Sequence, residues 1–296
     1  MANIGFIGLG NMGLPMACNL LKAGHAVTGF DLATDAVAAL EADGGTAAAS
    51  LAQAVSGQDV VVTMLPAGQH VRTVYLGEDG VLAHAGPGAL LIDSSTIDVD
   101  SARAVSTAAG ERGFPMVDAP VSGGVGGAQA GTLTFMVGGP AEAFEAAKPY
   151  LEIMGGRIVH AGGPGNGEAA KICNNMLLAI SMIGTSEAFV LARRLGLDDQ
   201  TLFDIASTAS GQCWSLTSYC PVPGPVPASP ANNDYKAGFA AAMMLKDVRL
   251  AMEAAGGTGA DTPLGRRAEE VYAALDADGH GGLDFSAIFK RLNGEI

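Results

Sequence analysis

The stretch from Ile4 to Ala17 limits the fold of this chain more than any other. Ile4-Gly5-Phe6-Ile7 reads as a short buried strand. It runs without a linker through Gly8-Leu9-Gly10-Asn11-Met12-Gly13 into a helix expected over 11–23. Gly8, Gly10 and Gly13 stand at the G-x-G-x-x-G spacing, and each has its own task. The first permits a tight turn, the second lets a pyrophosphate approach the backbone, and the third lets helix and strand pack closely. The free amides at the helix N-terminus, aided by the helix dipole, then face the phosphates.

Because the chain holds 42 glycines, this spacing needs support from its context. A second apolar strand, Ala26-Val27-Thr28-Gly29-Phe30, ends in Asp31, where a carboxylate can grip the adenosine ribose. That carboxylate accepts from both ribose hydroxyls and repels a 2′-phosphate. Leu32, Ala33 and Thr34 offer no arginine to hold such a phosphate, so the cofactor expected is NAD rather than NADP.

The α/β alternation continues as a doubly wound parallel sheet. A strand over 59–64 opens into Leu65-Pro66-Ala67, and one over 89–93 opens into Ser94-Ser95-Thr96. In such sheets the loops at the carboxyl ends of the strands line the ligand crevice. After Met116-Val117-Asp118 comes Ser122-Gly123-Gly124-Val125-Gly126-Gly127, read as a loop whose successive amides form an anion-binding concavity beside the Ser122 hydroxyl. Strands near 132–138 and 158–160 complete a Rossmann-type domain over 1–163. An all-helical domain over 164–296 follows, joined through a long helix at 168–194. There Ile172, Met176, Ala179 and Ile183 recur at helical spacing as a buried stripe, and Lys171 and Asn175 lie four residues apart. A proline-dense irregular segment over 212–238 separates that helix from one near 240–254, which carries Lys246-Asp247. Helices near 264–275 and 285–292 end the chain.

Composition narrows the function. A net charge of -14 argues against nucleic acid and anionic membranes as partners. No apolar run is expected to approach a membrane span. A strand beginning directly after the first residues leads to the expectation of no signal or transit segment and a cytoplasmic location. Cys18, Cys173, Cys213 and Cys220 form no C-x-x-C pair and are read as small core residues. His25, His70, His84, His160 and His280 are scattered, and no metal site is expected. The turn at 276–281 begins like a calcium loop, but Ala287 stands where the bidentate glutamate is needed. Oxidation of an alcohol without a metal needs a proton acceptor. Lys171, just past the domain boundary, is the best candidate, because burial lowers a lysine pKa toward neutrality.

These segments together, namely the glycine turn with Leu14-Pro15-Met16-Ala17, Asp93-Ser94-Ser95-Thr96, Asp118 through Gly124, Gly167 through Asn175, and Lys246-Asp247, are similar to the β-hydroxyacid dehydrogenase family. The resemblance is collinear over essentially the whole chain. It implies Lys171 as catalytic acid/base, with Ser122, Gly123, Gly124 and Asn175 holding a small hydroxyacid. It also implies Leu65, Pro66 and Thr96 along the NAD cleft, with Lys246 reaching cofactor or substrate and Asp247 supporting it. Tyr219 through Gly224, Asn232 through Tyr235, and Gly238-Phe239 resemble the branch acting on 3-hydroxyisobutyrate, with Cys220 where an asparagine is expected. The implied reaction is oxidation to methylmalonate semialdehyde in valine breakdown. Tartronate semialdehyde reduction, another short β-hydroxyacid, and a noncatalytic NAD-binding role remain the alternatives. Met243 and Met244, read as exposed, lead to the expectation of a homo-oligomer, dimer or tetramer.

Overall fold

The computed structural model describes all residues, 1–296. They divide into two compact units, Met1–Lys171 and Ile172–Ile296.

The first unit opens with β1 (Asn3–Ile7), α1 (Gly13–Lys22), β2 (Ala26–Phe30), α2 (Thr34–Ala42) and the two-residue β3 (Thr46–Ala47). After α3 (Leu51–Val55) come β4 (Val60–Thr63), α4 (Gly68–Leu76), α5 (Val81–His84), β5 (Leu90–Asp93), α6 (Val99–Glu111) and β6 (Met116–Asp118). These six strands are parallel in the order β3-β2-β1-β4-β5-β6. All four residues of β4 and of β5 are buried, as strands covered on both faces must be. Alternate side chains serve two cores. Ile4, Phe6, Val60, Val62 and Ile92 pack with Met16 and Leu20 on one face, and Ile7, Val61 and Leu91 pack with Val71 and Tyr75 on the other. Then β7 (Val121–Ser122), α7 (Gly124–Ala130), β8 (Leu133–Gly138), α8 (Ala141–Met154) and β9 (Gly155–Gly162) extend the sheet, with β8 antiparallel to β6 and β7 and parallel to β9.

Two segments differ from expectation here. The glycine-rich stretch after Ser122 is not a loop but the helix α7, entered through Gly123 at φ 137° and Gly124 at φ 62°. Its buried Ala128 joins the core, and Asn19 of α1 donates to the Ala128 carbonyl at 2.7 Å. Helix α4 was not foreseen at all. Its Val71 and Tyr75, one turn apart, are fully buried.

The long helix α9 (Asn166–Arg194) begins in the first unit and continues into the second. At 29 residues it is long and apolar enough, by length and composition alone, to cross a membrane, which corrects the expectation that no segment approaches that size. Its Ala179, Met182 and Ile183 instead form the core of the helical unit with Met244, Val248, Val271 and Tyr272. That core joins α12 (Ala241–Thr258), α13 (Pro263–Leu275) and α14 (Ile288–Asn293), while α10 (Asp199–Ala206) and α11 (Trp214–Thr217) pack in a separate cluster with Phe189, Cys220 and Val222. Met244, expected at the surface, is fully buried, while Met243 is exposed. Of the cysteines, Cys18 and Cys220 are buried as expected, but Cys173 is exposed.

Candidate active site

The three motif glycines are required for three different reasons. Gly8 has φ 92°, and a Cβ there would strike the Met64 carbonyl oxygen. A Cβ at Gly13 would strike the Gly8 carbonyl oxygen, so α1 can seat against the turn only without a side chain. At Gly10 a Cβ would meet nothing within 4 Å. The turn therefore needs no glycine at Gly10 for its own packing, which leaves that space to a ligand. Helix α1 has no side-chain cap and no acidic residue in its first turn. Its N-terminal amides point where an anion is favoured. Asn11 is exposed, Met12 half-buried and Leu9 buried beneath the turn.

Asp31, at the end of β2, accepts from the Leu9 amide at 2.6 Å and from the Ala33 amide at 2.8 Å. Its carboxylate is thus fixed beside the glycine turn. Two strands away the β4 and β5 ends are locked together. Asp93 accepts from Thr63 Oγ1 and Ser95 Oγ, both at 2.6 Å, and from the Ser95 amide at 3.2 Å. Ser95 Oγ in turn accepts from the Leu65 amide at 2.8 Å. That network sets the backbone of Leu65 and Pro66 opposite Thr96. Burial raises the Asp93 carboxyl above the usual carboxylate range, against the pull of its hydroxyl and amide donors.

The next strand also ends in a buried carboxylate. Asp118 accepts from the amides of Gly165 at 2.7 Å and Glu168 at 3.1 Å, capping α9 from a strand about fifty residues earlier. Burial pushes this carboxyl up to about 6. Ser122 is half-buried on β7, and Gly123 and Gly124 begin the following helix. Lys171 is 6% exposed on the first turns of α9, and Glu168, one turn earlier, is fully buried with Oε2 accepting from the Ile97 amide.

In the helical unit Asn175 is buried and donates from Nδ2 to Asp247 Oδ2 at 2.5 Å, while its Oδ1 accepts from Asn174 Nδ2 at 3.0 Å. The other oxygen of Asp247 lies 3.5 Å from Lys246 Nζ. Asp247 therefore joins Lys246 to Asn175, a link no spacing in the sequence announces. Along α9, Lys171 and Asn175 continue the buried row of Ala179, Met182, Ser186 and Phe189. Of the stripe expected from the sequence, Ile172, Ala179 and Ile183 are buried and Met176 is half-buried. Asp93, Ser95, Asp118 and Glu168 stand in the segments that carry the family resemblance, but the sequence assigns none of them an individual role. The available signal was an acidic residue closing an otherwise apolar buried strand.

A parallel sheet in the order 3-2-1-4-5-6, with a glycine cradle after β1 and a carboxylate after β2, defines a dinucleotide-binding domain. Comparison with known proteins makes this specific. Residues 3–163 match the NAD binding domain of 6-phosphogluconate dehydrogenase, and residues 165–292 match the family described as NAD-binding of NADP-dependent 3-hydroxyisobutyrate dehydrogenase. The chain is 52% identical to Pseudomonas aeruginosa 3-hydroxyisobutyrate dehydrogenase over 298 residues, covering both proteins completely. It is also 52% identical to an NAD-dependent L-serine dehydrogenase of the same organism, over 99% of this chain and 98% of that one. A solved structure of the Mycobacterium tuberculosis 3-hydroxyisobutyrate dehydrogenase with L-serine superposes with a TM-score of 0.95 at 53% identity, covering 99% of each chain. The chain belongs to the 3-hydroxyisobutyrate dehydrogenase family and is an NAD-dependent oxidoreductase.

Proposed function

We propose that this enzyme oxidises the primary alcohol of 3-hydroxyisobutyrate to methylmalonate semialdehyde, as a step of valine breakdown, with Lys171 as general acid/base and no metal. The observation that carries the proposal is the burial of Lys171 on the first turns of α9, in the same row as a buried Asn175 held by Asp247. NAD, when bound, supplies the hydride acceptor. Gly8, Leu9, Gly10, Asn11, Met12 and Gly13 hold its pyrophosphate, and Asp31 holds the adenosine ribose. Leu65, Pro66 and Thr96 line its cleft, and the family resemblance assigns Lys246 to cofactor or substrate. Ser122 with the Gly123 and Gly124 amides grips the substrate carboxylate. Asn175 orients the hydroxyl, and Lys171 as the neutral amine takes the hydroxyl proton at Nζ.

L-serine is the second reading, favoured by the P. aeruginosa relative named for that activity and by the M. tuberculosis structure described with L-serine. The two substrates share a primary alcohol one carbon from the carbon bearing the carboxylate, and differ in a methyl against an ammonium. Initial rates of NADH formation with 3-hydroxyisobutyrate, L-serine, glycerate and 3-hydroxypropionate, repeated with NADP, decide between them. Replacing Lys171 with alanine is expected to lower kcat by about two to four orders of magnitude while NAD binding is kept. Near-normal turnover of that variant overturns the Lys171 assignment. We also propose a homo-oligomer, supported by Leu177, Leu191 and Leu195, which leave 60–75% of their surface exposed along α9 and just beyond it. Sedimentation of the purified protein tests it, and a monomer at micromolar concentration overturns it.

A further inference from the structure

Asp118 is a buried carboxylate that touches none of the groups assigned to cofactor or substrate, yet the surrounding chain is cut to fit it. A Cβ at Gly138 would lie 2.6 and 2.7 Å from its two oxygens. A Cβ at Gly167 would lie 2.8 Å from Oδ2 and 2.6 Å from the Asp118 carbonyl oxygen. Gly138 on β8 and Gly167 in the first turn of α9 thus make room for this side chain, and Gly167 also for the Met136 carbonyl oxygen, which would lie 2.5 Å from a Cβ there. Oδ1 accepts from Gly165 N, and Oδ2 from Glu168 N. This fixes both the entry to α9 and its first turn. A negative charge there is also favoured by the helix dipole.

Lys171 follows Glu168 by three residues, roughly 4.5 Å along the helix axis, so no flexible segment intervenes between the capped amide and the lysine. On the other side, Asp118 precedes Ser122 by four residues, and the segments β6 and β7 that carry the two both pair with β8. One carboxylate therefore ties the strand segment that leads to Ser122 to the helix that carries Lys171.

We propose that Asp118 is a positioning residue that sets where Lys171 stands relative to Ser122, and that it acts on turnover through Lys171. The proposal rests on the assignment of Lys171 as acid/base. Asn is the same size as Asp but offers an acceptor at one end and a donor at the other, so Asp118→Asn keeps one of the two amide bonds and loses its counterpart. The expected result is a fall in kcat of at least tenfold with the NAD dissociation constant within twofold of the parent, since the glycine turn lies elsewhere on the sheet. Asp118→Ser is smaller, cannot accept from both amides at once, and is expected to repeat the pattern if Asp118→Asn folds poorly.

A double-mutant cycle separates positioning from general damage. In the Lys171→Ala background, Asp118→Asn is expected to cause no further loss of the residual rate, because the group it positions is gone. The inference is overturned if Asp118→Asn leaves kcat within twofold of the parent, or if its loss is the same factor with and without Lys171. If Lys171→Ala alone turns over normally, the acid/base assignment falls, and this inference falls with it. If Lys171→Ala is slow and Asp118→Asn is not, only the positioning role fails.

Discussion

In the first unit, the residues at the edge of the site are held by main-chain amides at the ends of parallel strands: Leu9 N on Asp31, Leu65 N on Ser95, Gly165 N and Glu168 N on Asp118. In the second unit, single buried carboxylates gather partners from separate helices and turns. Asp247 takes the Asn175 amide and lies by Lys246, and Asp284 takes Tyr219 Oη. The sheet repeats one unit of architecture, so its functional positions recur at the same structural place. The helical unit has no such repeat, and each polar junction is made once.

Asp284 is the largest test of that contrast. It is fully buried; Oδ2 accepts from Tyr219 Oη and from the amides of Gly238 and Phe239, and Oδ1 from the amide and hydroxyl of Ser286. Burial and this carboxylate hold the Tyr219 hydroxyl protonated, far above its ordinary range. Beside it Trp214, Tyr219 and Phe285 stack at 4.9 and 5.3 Å at the start of the proline-dense segment. Asp284→Ala strands several buried donors at once and is expected to cost about 3–5 kcal/mol in chemical denaturation. A loss below about 1 kcal/mol would mean that the segment is held by its own turns, such as Ser229 Oγ on the Cys220 carbonyl and Tyr235 Oη on the Pro221 carbonyl.

The same contrast explains what the sequence disclosed. The glycine turn, Asp31 and the loops after Thr63 and Asp93 were legible, because a hydrophobic period and a strand-end rule point to them without any knowledge of packing. Helix α7 was not, because four glycines in six residues argue against a helix, and burial of Ala128 overrides that propensity. Asn175 was reached through its spacing from Lys171, and Lys246 and Asp247 through family resemblance alone. Nothing in their spacing tells that Asp247 spans the other two. Asp284 was missed for the same reason: its partners lie 46 and 65 residues away and carry no periodic signal. Cys220, the one marked departure from the family pattern, is a fully buried core residue beside Phe189, Leu216 and Val222, with its thiol pushed up to about 11 by burial. Its substitution alters packing under the proline-dense segment rather than adding a reactive group.

A pair of single-methyl changes sharpens the claim that the first unit is built from backbone. Gly13→Ala places a methyl against the Gly8 carbonyl, so both stability and NAD affinity are expected to fall, the first by about 1–3 kcal/mol. Gly10→Ala places its methyl in open space, so the thermal midpoint is expected to stay unchanged. Its NAD dissociation constant, measured by titration calorimetry, is expected to rise tenfold or more, about 1.4 kcal/mol, because the cofactor needs that space. If Gly10→Ala binds NAD normally, the open space at the turn is not where the pyrophosphate lies.

The smallest expected effect concerns Asp31, where two physical causes predict different variants. Its carboxylate offers hydrogen-bond acceptors to a ribose and also repels a 2′-phosphate. Asp31→Ala removes both properties, along with the bonds from Leu9 N and Ala33 N, and is expected to cut the ratio of kcat/KM for NAD over NADP about tenfold, roughly 1.4 kcal/mol. Asp31→Asn keeps one acceptor and removes only the charge. If repulsion sets the preference, Asn relaxes it nearly as far as Ala, chiefly through a lower KM for NADP. If hydrogen bonding sets it, Asn stays close to the parent ratio. An unchanged ratio in both variants would move cofactor choice away from the end of β2, and the strand-end rule that made the first unit legible would then fail at its clearest position.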